Sequence, residues 1–418
     1  MRYMAEKMRF NTALLHRNMK SDGKTGATMT PIYQSSAFEH ESAEKLEQIF
    51  HNTAPGFAYT RINNPTIADF EARIAGLEEG VAAVATASRM AAIFNAVMNV
   101  VKCGDEVVAS ASLYGGTIDL FTDLKSYGIT THYVTEMTAE ALDTVVTEKT
   151  RVIFAETIGN PKLNVLDIPA VAEYAHARGI FFIVDNTVAT PYLCRPLALG
   201  ADVVVESSSK YINGSGNSIS GLIIDAGRFK WDAEHYPDMK PYLKMGPLAY
   251  TAKLRNALFR DTGACLAPFN AYLNSVGLET LGLRMERACY NALTLAKWFA
   301  SSGLVDAVGY PGLPDAPDYE LATKQFDGGY GAMVTIRVGS KERAFSVIDH
   351  LKYPLKVSNI GDSKTLVLHP ESTIFCHGTE EENRKAGVYP DLIRISVGIE
   401  DVEDLIWDFE QALTQSLQ

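Results

Sequence analysis

The stretch DVVVESSSKYINGSG, residues 202–216, decides how the rest of the chain is interpreted. Its run of valines is typical of a strand buried on both faces of a parallel sheet. Three serines and then Lys210 follow directly. Burying a lysine as a cation is costly. Two interpretations are therefore open: a surface lysine at the start of a loop, or a lysine retained for its nitrogen in a pocket that binds an anion.

Three other short apolar runs surround this stretch, and helical patterns alternate with them. The segment DIPAVAEYAHARG (167–179) has Pro169 near its start and Gly179 at its end, as helix termini prefer. This alternation predicts an α/β fold with a mostly parallel sheet and helices on both faces. The predicted buried strands are EVVAS (106–110), RVIFAE (151–156), GIFFIVD (179–185) and ADVVVES (201–207).

Composition excludes several classes of protein. The net charge of -12 over 418 residues argues against nucleic acid or an anionic membrane surface as the main partner. No window approaches the ~18 apolar residues of a membrane span, and the opening MRYMAEKMRF lacks the apolar core of a secretory signal. The five cysteines are scattered without a CxxC pair, and the nine histidines are dispersed. We therefore expect a cytoplasmic protein with no disulfide framework and no metal site.

The two ends of the chain have a different character. The first 60 residues are irregular and polar, which predicts an extended arm. Later apolar runs and a closing helical pattern, DVEDLIWDFEQAL (401–413), predict a smaller C-terminal α+β domain that begins near Pro268. Its predicted strands lie at 328–338, 355–361 and 392–398. The expected divisions are an arm at 1–60, an α/β domain at 61–265 and an α+β domain at 266–418.

Three consecutive predicted strands end in side chains that can do chemistry. Asn160 follows the strand at 151–156, Asp185 ends the next strand, and Lys210 follows the third. In parallel α/β sheets, ligands bind at the carboxyl ends of the strands. Each residue alone has an ordinary explanation, such as a turn or a helix cap. Because all three arrive at one crevice, the functional interpretation of Lys210 is favoured.

A lysine nitrogen beside an acid and several hydroxyl groups fits a Schiff base to pyridoxal phosphate. In this interpretation Asp185 faces the pyridine nitrogen and keeps it protonated, and Asn160 binds the phenolic oxygen. Ser207 and Ser209 would alternate along an extended segment and point toward the phosphate.

A second phosphate contact is predicted at ATASRMAAIFNAVMNVV (85–101). Thr86 and Ser88 precede an apolar helix, and the unpaired N–H groups of its first turn attract anions. Ser88 also suits the N-cap position of that helix, and the two interpretations are compatible.

Eight blocks of sequence carry a family resemblance that runs from near residue 30 to the C-terminus. The chain resembles the pyridoxal-phosphate enzymes of Cys/Met metabolism, and within them the O-acetylhomoserine sulfhydrylases. This resemblance implies the fold type I of pyridoxal-phosphate-dependent transferases, with a mostly parallel, seven-stranded sheet flanked by helices. The blocks are YTRINNPT, SLYGGT, ETIGNP, VDNTVATPY, ESSSKYINGSG, GLETLGLRMER, HPEST and LIRISVGIED.

The resemblance also implies roles for individual residues. Lys210 would be the cofactor lysine and Asp185 the pyridinium partner, while Tyr114 would stack on the ring and assist proton transfer. Tyr59 and Arg61 would bind the phosphate in the neighbouring subunit's site. The active site would then need at least a dimer, and the family is commonly a tetramer of two such dimers.

Further residues complete the implied site. Arg394 would bind the substrate α-carboxylate, with Asn359 beside it. Ser88, Arg89 and Met90 would form the phosphate-binding turn, in which the family usually has glycine at position 89. A second departure is Ser215, where the sulfhydrylases often have histidine.

The implied reaction replaces the γ-substituent of O-acetyl-L-homoserine with sulfur and gives L-homocysteine and acetate. A methionine γ-lyase is the nearest alternative, but those enzymes have a cysteine where this chain has Gly116, and the long connection at 230–261 is typical of sulfhydrylases. Cystathionine γ-synthase differs in the incoming thiol. A nucleotide-binding protein would show a GxGxxG turn, which the sequence lacks. O-succinyl and O-phospho leaving groups stay open, as does the choice between free sulfide and a sulfur-carrier protein.

Overall fold

A computed structural model describes residues 8–19, 21–23 and 25–417. Residues 1–7, where the sequence predicted no secretory signal, lie outside the described residues, as do Lys20, Lys24 and Gln418. Part of the predicted arm at 1–60 is therefore not described.

The larger sheet has seven strands in the order β1-β7-β6-β5-β4-β2-β3. β7 runs antiparallel to both of its neighbours, and the other adjacent pairs are parallel. The predicted mostly parallel, seven-stranded sheet is confirmed. Its strands are β1 (Ala82–Thr86), β2 (Glu106–Ser110), β3 (Thr130–Val134), β4 (Thr150–Glu156), β5 (Phe181–Asp185), β6 (Val203–Glu206) and β7 (Gly221–Asp225).

Apolar side chains project from both faces of this sheet, as the continuous apolar runs predict. Along β5, Phe182 packs into one hydrophobic core while Phe181 and Ile183 pack into a second core on the opposite face. Every residue of β5 is buried. A strand of this kind is stable only when helices cover both faces, and this burial holds the carboxyl ends of β4, β5 and β6 at one edge of the sheet.

Helices and 3₁₀ turns cover the sheet. Those of the larger domain are α3 (Pro65–Glu78), α4 (Arg89–Met98), α5 (Gly115–Asp123), α6 (Ala139–Asp143), α7 (Ile168–Ala177), α8 (Thr190–Leu193), α9 (Ala249–Asn256) and α10 (Leu258–Thr262), with 3₁₀ helices at Leu124–Tyr127, Pro196–Leu199 and Pro237–Leu248. The long connection at 230–261 contributes Tyr236 and Tyr250 to the core beside Phe181. It therefore forms part of the wall behind the sheet.

The C-terminal part has a five-stranded sheet in the order β10-β11-β12-β9-β8. The predicted strand at 355–361 is mostly wrong, because pairing ends at Lys356 and the chain then turns toward Lys210. The strands are β8 (Ala307–Gly309), β9 (Met333–Arg337), β10 (Leu355–Lys356), β11 (Leu366–Leu368) and β12 (Leu392–Ser396); the helices are α11 (Pro268–Leu278), α12 (Leu281–Ser302), α13 (Tyr319–Gln325), α14 (Lys341–His350), α15 (Glu380–Lys385) and α16 (Val402–Gln415).

The described part of the N-terminal segment contains two short helices, α1 (Phe10–His16) and α2 (Ala43–Phe50). The prediction of an extended arm is wrong for these residues. Ala13 and Leu14 of α1 are buried against the core, and α1 contacts both α3 and α12. Within the described ranges, no helix is both long and apolar enough to cross a membrane.

Candidate active site

A cavity of about 400 Å³ opens at the carboxyl edge of the larger sheet, between the two sheets. Residues from both domains line it. They include nine predicted site residues: Ser88, Arg89, Met90, Tyr114, Asn160, Ser207, Ser209, Lys210 and Arg394, joined by the predicted substrate residue Asn359. The structure therefore brings together most of the side chains that the sequence singled out.

Lys210 lies at the turn that follows β6, and its amine reaches across to the other domain. Nζ of Lys210 donates to Oδ1 of Asn359 at 2.5 Å. Burial, together with the positive charges of Arg89 and Arg394, lowers the pKa of Lys210 to about 8. A larger fraction of this amine is thus uncharged near neutral pH than for an ordinary lysine, as a nucleophilic lysine requires.

The N-terminus of α4 forms one wall of the cavity. The hydroxyl of Ser88 accepts from the backbone N–H of Ala91 at 3.1 Å, so the predicted N-cap is present. The remaining N–H groups of the first turn give this wall the character of an anion site. Thr86 donates to the carbonyl of Ser88 at 2.9 Å and supports the turn from behind.

The two serines before Lys210 occupy the cavity wall, but in a conformation that differs from the prediction. β6 ends at Glu206, and Lys210 N donates to the Ser207 carbonyl at 3.2 Å, which closes a turn. The extended segment predicted for these residues is therefore wrong. The Ser209 hydroxyl donates to Ser220 O at 3.0 Å and accepts from its N–H at 2.7 Å, so it pins the turn to the segment that leads into β7.

Asp185 does not face the cavity directly, because the side chain of Arg89 lies between them. Nε of Arg89 donates to Oδ2 of Asp185 at 2.7 Å, and Nη2 donates to Oε1 of Glu156 at 2.5 Å. The guanidinium carbon lies 4.9 Å from the centre of the Tyr114 ring. Burial opposes the charged form of Arg89, but the two carboxylates outweigh it and raise its pKa.

Arg394 stands on the opposite wall, in the central region of β12. Its Nη1 donates to Oδ1 of Asn160 and its Nη2 to the carbonyl of Asn359, both at 3.1 Å. Its Nε is buried and has no hydrogen-bond partner among the described residues. A buried guanidinium N–H without a partner is costly; a substrate carboxylate in this cavity could supply the missing acceptor.

Three predicted site residues do not line the cavity: Asp185, which lies behind Arg89, and Tyr59 and Arg61, which lie elsewhere on their own chain. Tyr59 and Arg61 are both exposed, and the Arg61 guanidinium carbon lies 5.4 Å from the Tyr59 ring centre. Arg61 also donates to the carbonyl of Arg260 at 2.5 Å. Within one chain these two residues therefore contribute nothing to the walls of this site.

Sequence reasoning missed several residues that shape the cavity. Glu156 is the most consequential, since it holds Arg89 and also accepts from the Tyr114 N–H at 3.0 Å. Its signal was available, because Glu156 ends a buried apolar strand in the same way as Asp185 does. The other wall residues missed are Gly216, Ser218, Ile219, Ser358, Ile360 and Ile374.

A pair of buried carboxyl groups lies beneath Asp185. Glu78 accepts from Nδ2 of Asn186 at 2.8 Å, and Glu206 faces it from the end of β6. Burial, reinforced by the charge of Glu78, raises the pKa of Glu206 well above its usual value. The pKa of Glu78 is raised by burial as well. Burial therefore favours the protonated form of both carboxyl groups.

The donor set of the cavity fits pyridoxal phosphate. Lys210 offers an amine of lowered pKa for the aldehyde, and the α4 N-terminus beside Ser207 and Ser209 offers an anion site. Arg394 offers an N–H without a partner to a substrate acid. Asp185 offers a carboxylate, once Arg89 is withdrawn. In the described ranges no group of three or more His, Cys, Asp or Glu side chains could hold a metal ion.

Comparisons with known proteins agree with this arrangement. Sulfhydrylase FUB7 of Fusarium oxysporum f. sp. lycopersici is 40% identical over 99% of each chain. The O-acetyl-L-homoserine sulfhydrylase of Corynebacterium glutamicum is 40% identical over 97% of each chain. A Campylobacter jejuni subsp. jejuni structure, described as an O-acetylhomoserine (thiol)-lyase with N'-pyridoxyl-lysine-5'-monophosphate, superposes with a TM-score of 0.93 at 33% identity, covering 97% of this chain and 100% of that chain.

The family model of the Cys/Met metabolism enzymes matches residues 11–414, nearly the whole chain. The chain thus belongs to the family of Cys/Met metabolism PLP-dependent enzymes.

Proposed function

We propose that this protein replaces the γ-acetoxy group of O-acetyl-L-homoserine with a sulfur nucleophile and releases L-homocysteine and acetate. The observation that carries the proposal is that Lys210, the N-terminus of α4 and Arg394 line one cavity shared by two domains. Relatives named as O-acetyl-L-homoserine sulfhydrylases, at 40% identity over almost the full chain, support the choice of substrate.

The bound cofactor would supply an electron sink that makes the Cα and Cβ protons of the amino acid acidic. Lys210 would remove and return those protons at Nζ, and its lowered pKa supports general base catalysis near neutral pH. Tyr114 lines the same cavity and would assist in proton transfer. Asp185 would hold the ring nitrogen, and Asn160 the phenolic oxygen.

Arg394 would bind and orient the substrate α-carboxylate. Its two terminal nitrogens are already held by Asn160 and by the Asn359 carbonyl, so the guanidinium is fixed before the substrate arrives. Preorganised charge of this kind costs no reorganisation during the reaction. Its unpartnered Nε gives the carboxylate a donor that is otherwise unsatisfied.

Gly116 favours replacement over γ-elimination of the methionine γ-lyase type. A Cβ atom at this position would lie 2.7 Å from Cε1 of Tyr114, closer than carbon atoms pack. A cysteine there would therefore require a different position of the Tyr114 ring. Cystathionine γ-synthase activity is the second alternative, since it uses the same wall residues and differs in the nucleophile.

The active unit is proposed to be at least a dimer, and two such dimers are proposed to form a tetramer. The proposed location is the cytoplasm. The exposed positions of Tyr59 and Arg61 support a role in the neighbouring subunit's phosphate site, where an arginine can bind phosphate in a bidentate manner. The sulfur nucleophile is proposed to be hydrosulfide or sulfur delivered by a carrier protein.

The test is a steady-state assay of the purified enzyme with each homoserine ester and several sulfur donors. Homocysteine and acetate should form in equal amounts from O-acetyl-L-homoserine, and methionine should release 2-oxobutanoate slowly. The Lys210→Ala variant serves as the inactive control. Rapid 2-oxobutanoate release from methionine, with no homocysteine from any donor, would overturn the proposal.

A further inference from the structure

The guanidinium group of Arg89 makes three separate contacts. Its guanidinium pairs with Asp185 at 2.7 Å and with Glu156 at 2.5 Å, and it lies over the face of Tyr114 at 4.9 Å. The residue is only 8% exposed. A planar cation therefore fills the space between a carboxylate and an aromatic ring.

The pyridine ring of the cofactor would use the same two partners, Asp185 and Tyr114, under the proposed function. A protonated pyridine is also a planar cation; it would pair with Asp185 and stack on Tyr114. Oδ1 of Asp185 already accepts from the Thr187 N–H at 2.9 Å, and Oδ2 is held by Arg89. Asp185 consequently has no contact with the cavity while Arg89 stays in place. The guanidinium and the ring cannot occupy this space together.

We propose that Arg89 is a resident competitor of pyridoxal phosphate: its guanidinium holds the ring position in the cofactor-free protein and must leave when the cofactor binds. The inference rests on the proposed function, because it needs the cofactor at Lys210. It makes Arg89 a positioning residue that sets the affinity and the rate of cofactor loading.

The electrostatics of the site explain why a resident cation is retained. Asp185 and Glu156 are both buried, and a buried charge whose partner is removed is strongly destabilising. Arg89 neutralises them before the cofactor arrives. After burial, Arg89 is also the largest cause of the lowered pKa of Lys210, so the same guanidinium favours the uncharged amine that must react with the incoming aldehyde.

Release of Arg89 leaves the helix intact. The residue is the first of α4, directly after the N-cap Ser88, so rotation of its side chain breaks no backbone hydrogen bond of the helix. Loading then exchanges one cation for another on Asp185, and part of the binding free energy is used to separate an existing ion pair.

The experiment compares cofactor loading by cofactor-stripped wild-type enzyme, Arg89→Gly and Arg89→Met. Pyridoxal phosphate is titrated in, and its absorbance change gives both Kd and the loading rate. We expect Kd to fall about tenfold in Arg89→Gly, which corresponds to about 1.4 kcal/mol. The wild-type rate should saturate with cofactor concentration because Arg89 must leave first, whereas the Arg89→Gly rate should rise linearly. Arg89→Met, which keeps the bulk but not the charge, should load more tightly than wild type.

Glu156→Gln provides a second route if the Arg89 variants fold poorly. It weakens the hold on Arg89, keeps Asp185, and should also load more tightly than wild type. An unchanged or higher Kd in Arg89→Gly and in Glu156→Gln, with the cofactor still attached at Lys210, would overturn the inference and leave the proposed function standing. A failure of every form to attach pyridoxal phosphate would overturn both.

Discussion

The side-chain amine of Lys210 donates to the Asn359 carboxamide oxygen at 2.5 Å, and this contact joins the turn after β6 to the loop after β10. The nucleophile of the larger domain is thus held by a residue of the smaller one. Because Asn359 is neutral, it orients the amine without adding a charge that would favour the protonated form.

This contact predicts how a charge at position 359 changes the reactivity of Lys210. An aspartate in Asn359→Asp would place a carboxylate beside the amine and raise the pKa of Lys210 above about 8. The pH midpoint for cofactor attachment should therefore move upward. Asn359→Ser, which keeps an acceptor but adds no charge, should retain a midpoint close to wild type. The same midpoint in all three proteins would contradict the prediction.

Lys210→Ala should abolish covalent attachment of the cofactor. Borohydride reduction of the wild-type holoenzyme, followed by peptide mass analysis, should place the pyridoxyl label on the peptide that contains Lys210, and turnover should be lost in the variant. Lys364, an exposed lysine of the same domain as Asn359, is a suitable control when changed to alanine. A label on any other lysine would disprove the assignment.

Gly116→Ala should disturb Tyr114 without unfolding the protein. The new methyl group would lie 2.7 Å from Cε1 of the ring, so the ring must shift. Misplacement by about 1 Å at a reacting centre can lower rates about a hundredfold, and we expect kcat to fall by about tenfold to a hundredfold. Gly116→Cys should also raise the ratio of 2-oxobutanoate to homocysteine. An unchanged kcat, at an unchanged melting temperature, would show that the ring position does not matter.

Mixed dimers test whether Tyr59 and Arg61 act across a subunit boundary. Subunits with Arg61→Ala and subunits with Lys210→Ala should each be inactive alone. In a hybrid dimer, one of the two sites would contain neither change, so exchange of subunits should restore activity. Dimers of two Lys210→Ala subunits, taken through the same exchange procedure, are the control and should stay inactive. Fully exchanged hybrids without recovered activity would count against the shared site.

The carboxyl pair beneath Asp185 predicts a dependence of stability on pH. Burial, reinforced by the neighbouring carboxyl charge, raises the pKa of Glu206 in the folded state. The folded protein therefore binds more protons than the unfolded chain above about pH 4.5, and stability should fall as pH rises toward the raised pKa. Each unit by which the folded-state pKa exceeds the unfolded-state pKa corresponds to about 1.4 kcal/mol in the free energy of unfolding.

Glu206→Gln should remove part of this dependence, because the amide stays neutral and can donate to Glu78. Thermal unfolding between about pH 5 and pH 8 should show a smaller loss of melting temperature than in wild type. Glu173→Gln makes the same chemical change at an exposed position of α7. It should leave the dependence of melting temperature on pH as it is in wild type. If the melting temperature of Glu206→Gln depends on pH as strongly as that of wild type, the Glu78–Glu206 pair is not the source of the dependence.

The sequence was sufficient to predict the larger sheet and the edge of that sheet at which the site lies. Runs such as 180–184 are apolar at every position, and a strand covered on both faces accommodates that pattern. The residues that end those runs then had to meet at one edge, as Asn160 and Lys210 do. The family resemblance extended this to Arg394, which lies far along the chain but faces the same cavity.

Contacts that depend on side-chain conformation and on distant partners could not be predicted in this way. Arg89 pairs with an acid 96 positions later, and nothing in the local pattern selects that conformation. The turn at Ser207–Lys210 is set by hydrogen bonds from Ser209 to Ser220, so the valine run before it gave a misleading extended prediction. The helix α1 depends on α3 and α12 for its burial, which its own polar neighbourhood does not reveal.

The bridge formed by Asn160, Arg394, Asn359 and Lys210 has a consequence for recombining this chain with its relatives. A crossover near Pro268 would leave one hydrophobic core wholly inside each half and divide a third core between the two halves, so a chimera of similar relatives could still fold. Yet the four side chains come from both parental halves, and their spacing depends on how one half docks against the other. Chimeras should therefore preserve fold more readily than turnover, and directed evolution across that junction should recover activity mainly through substitutions that re-align the two halves.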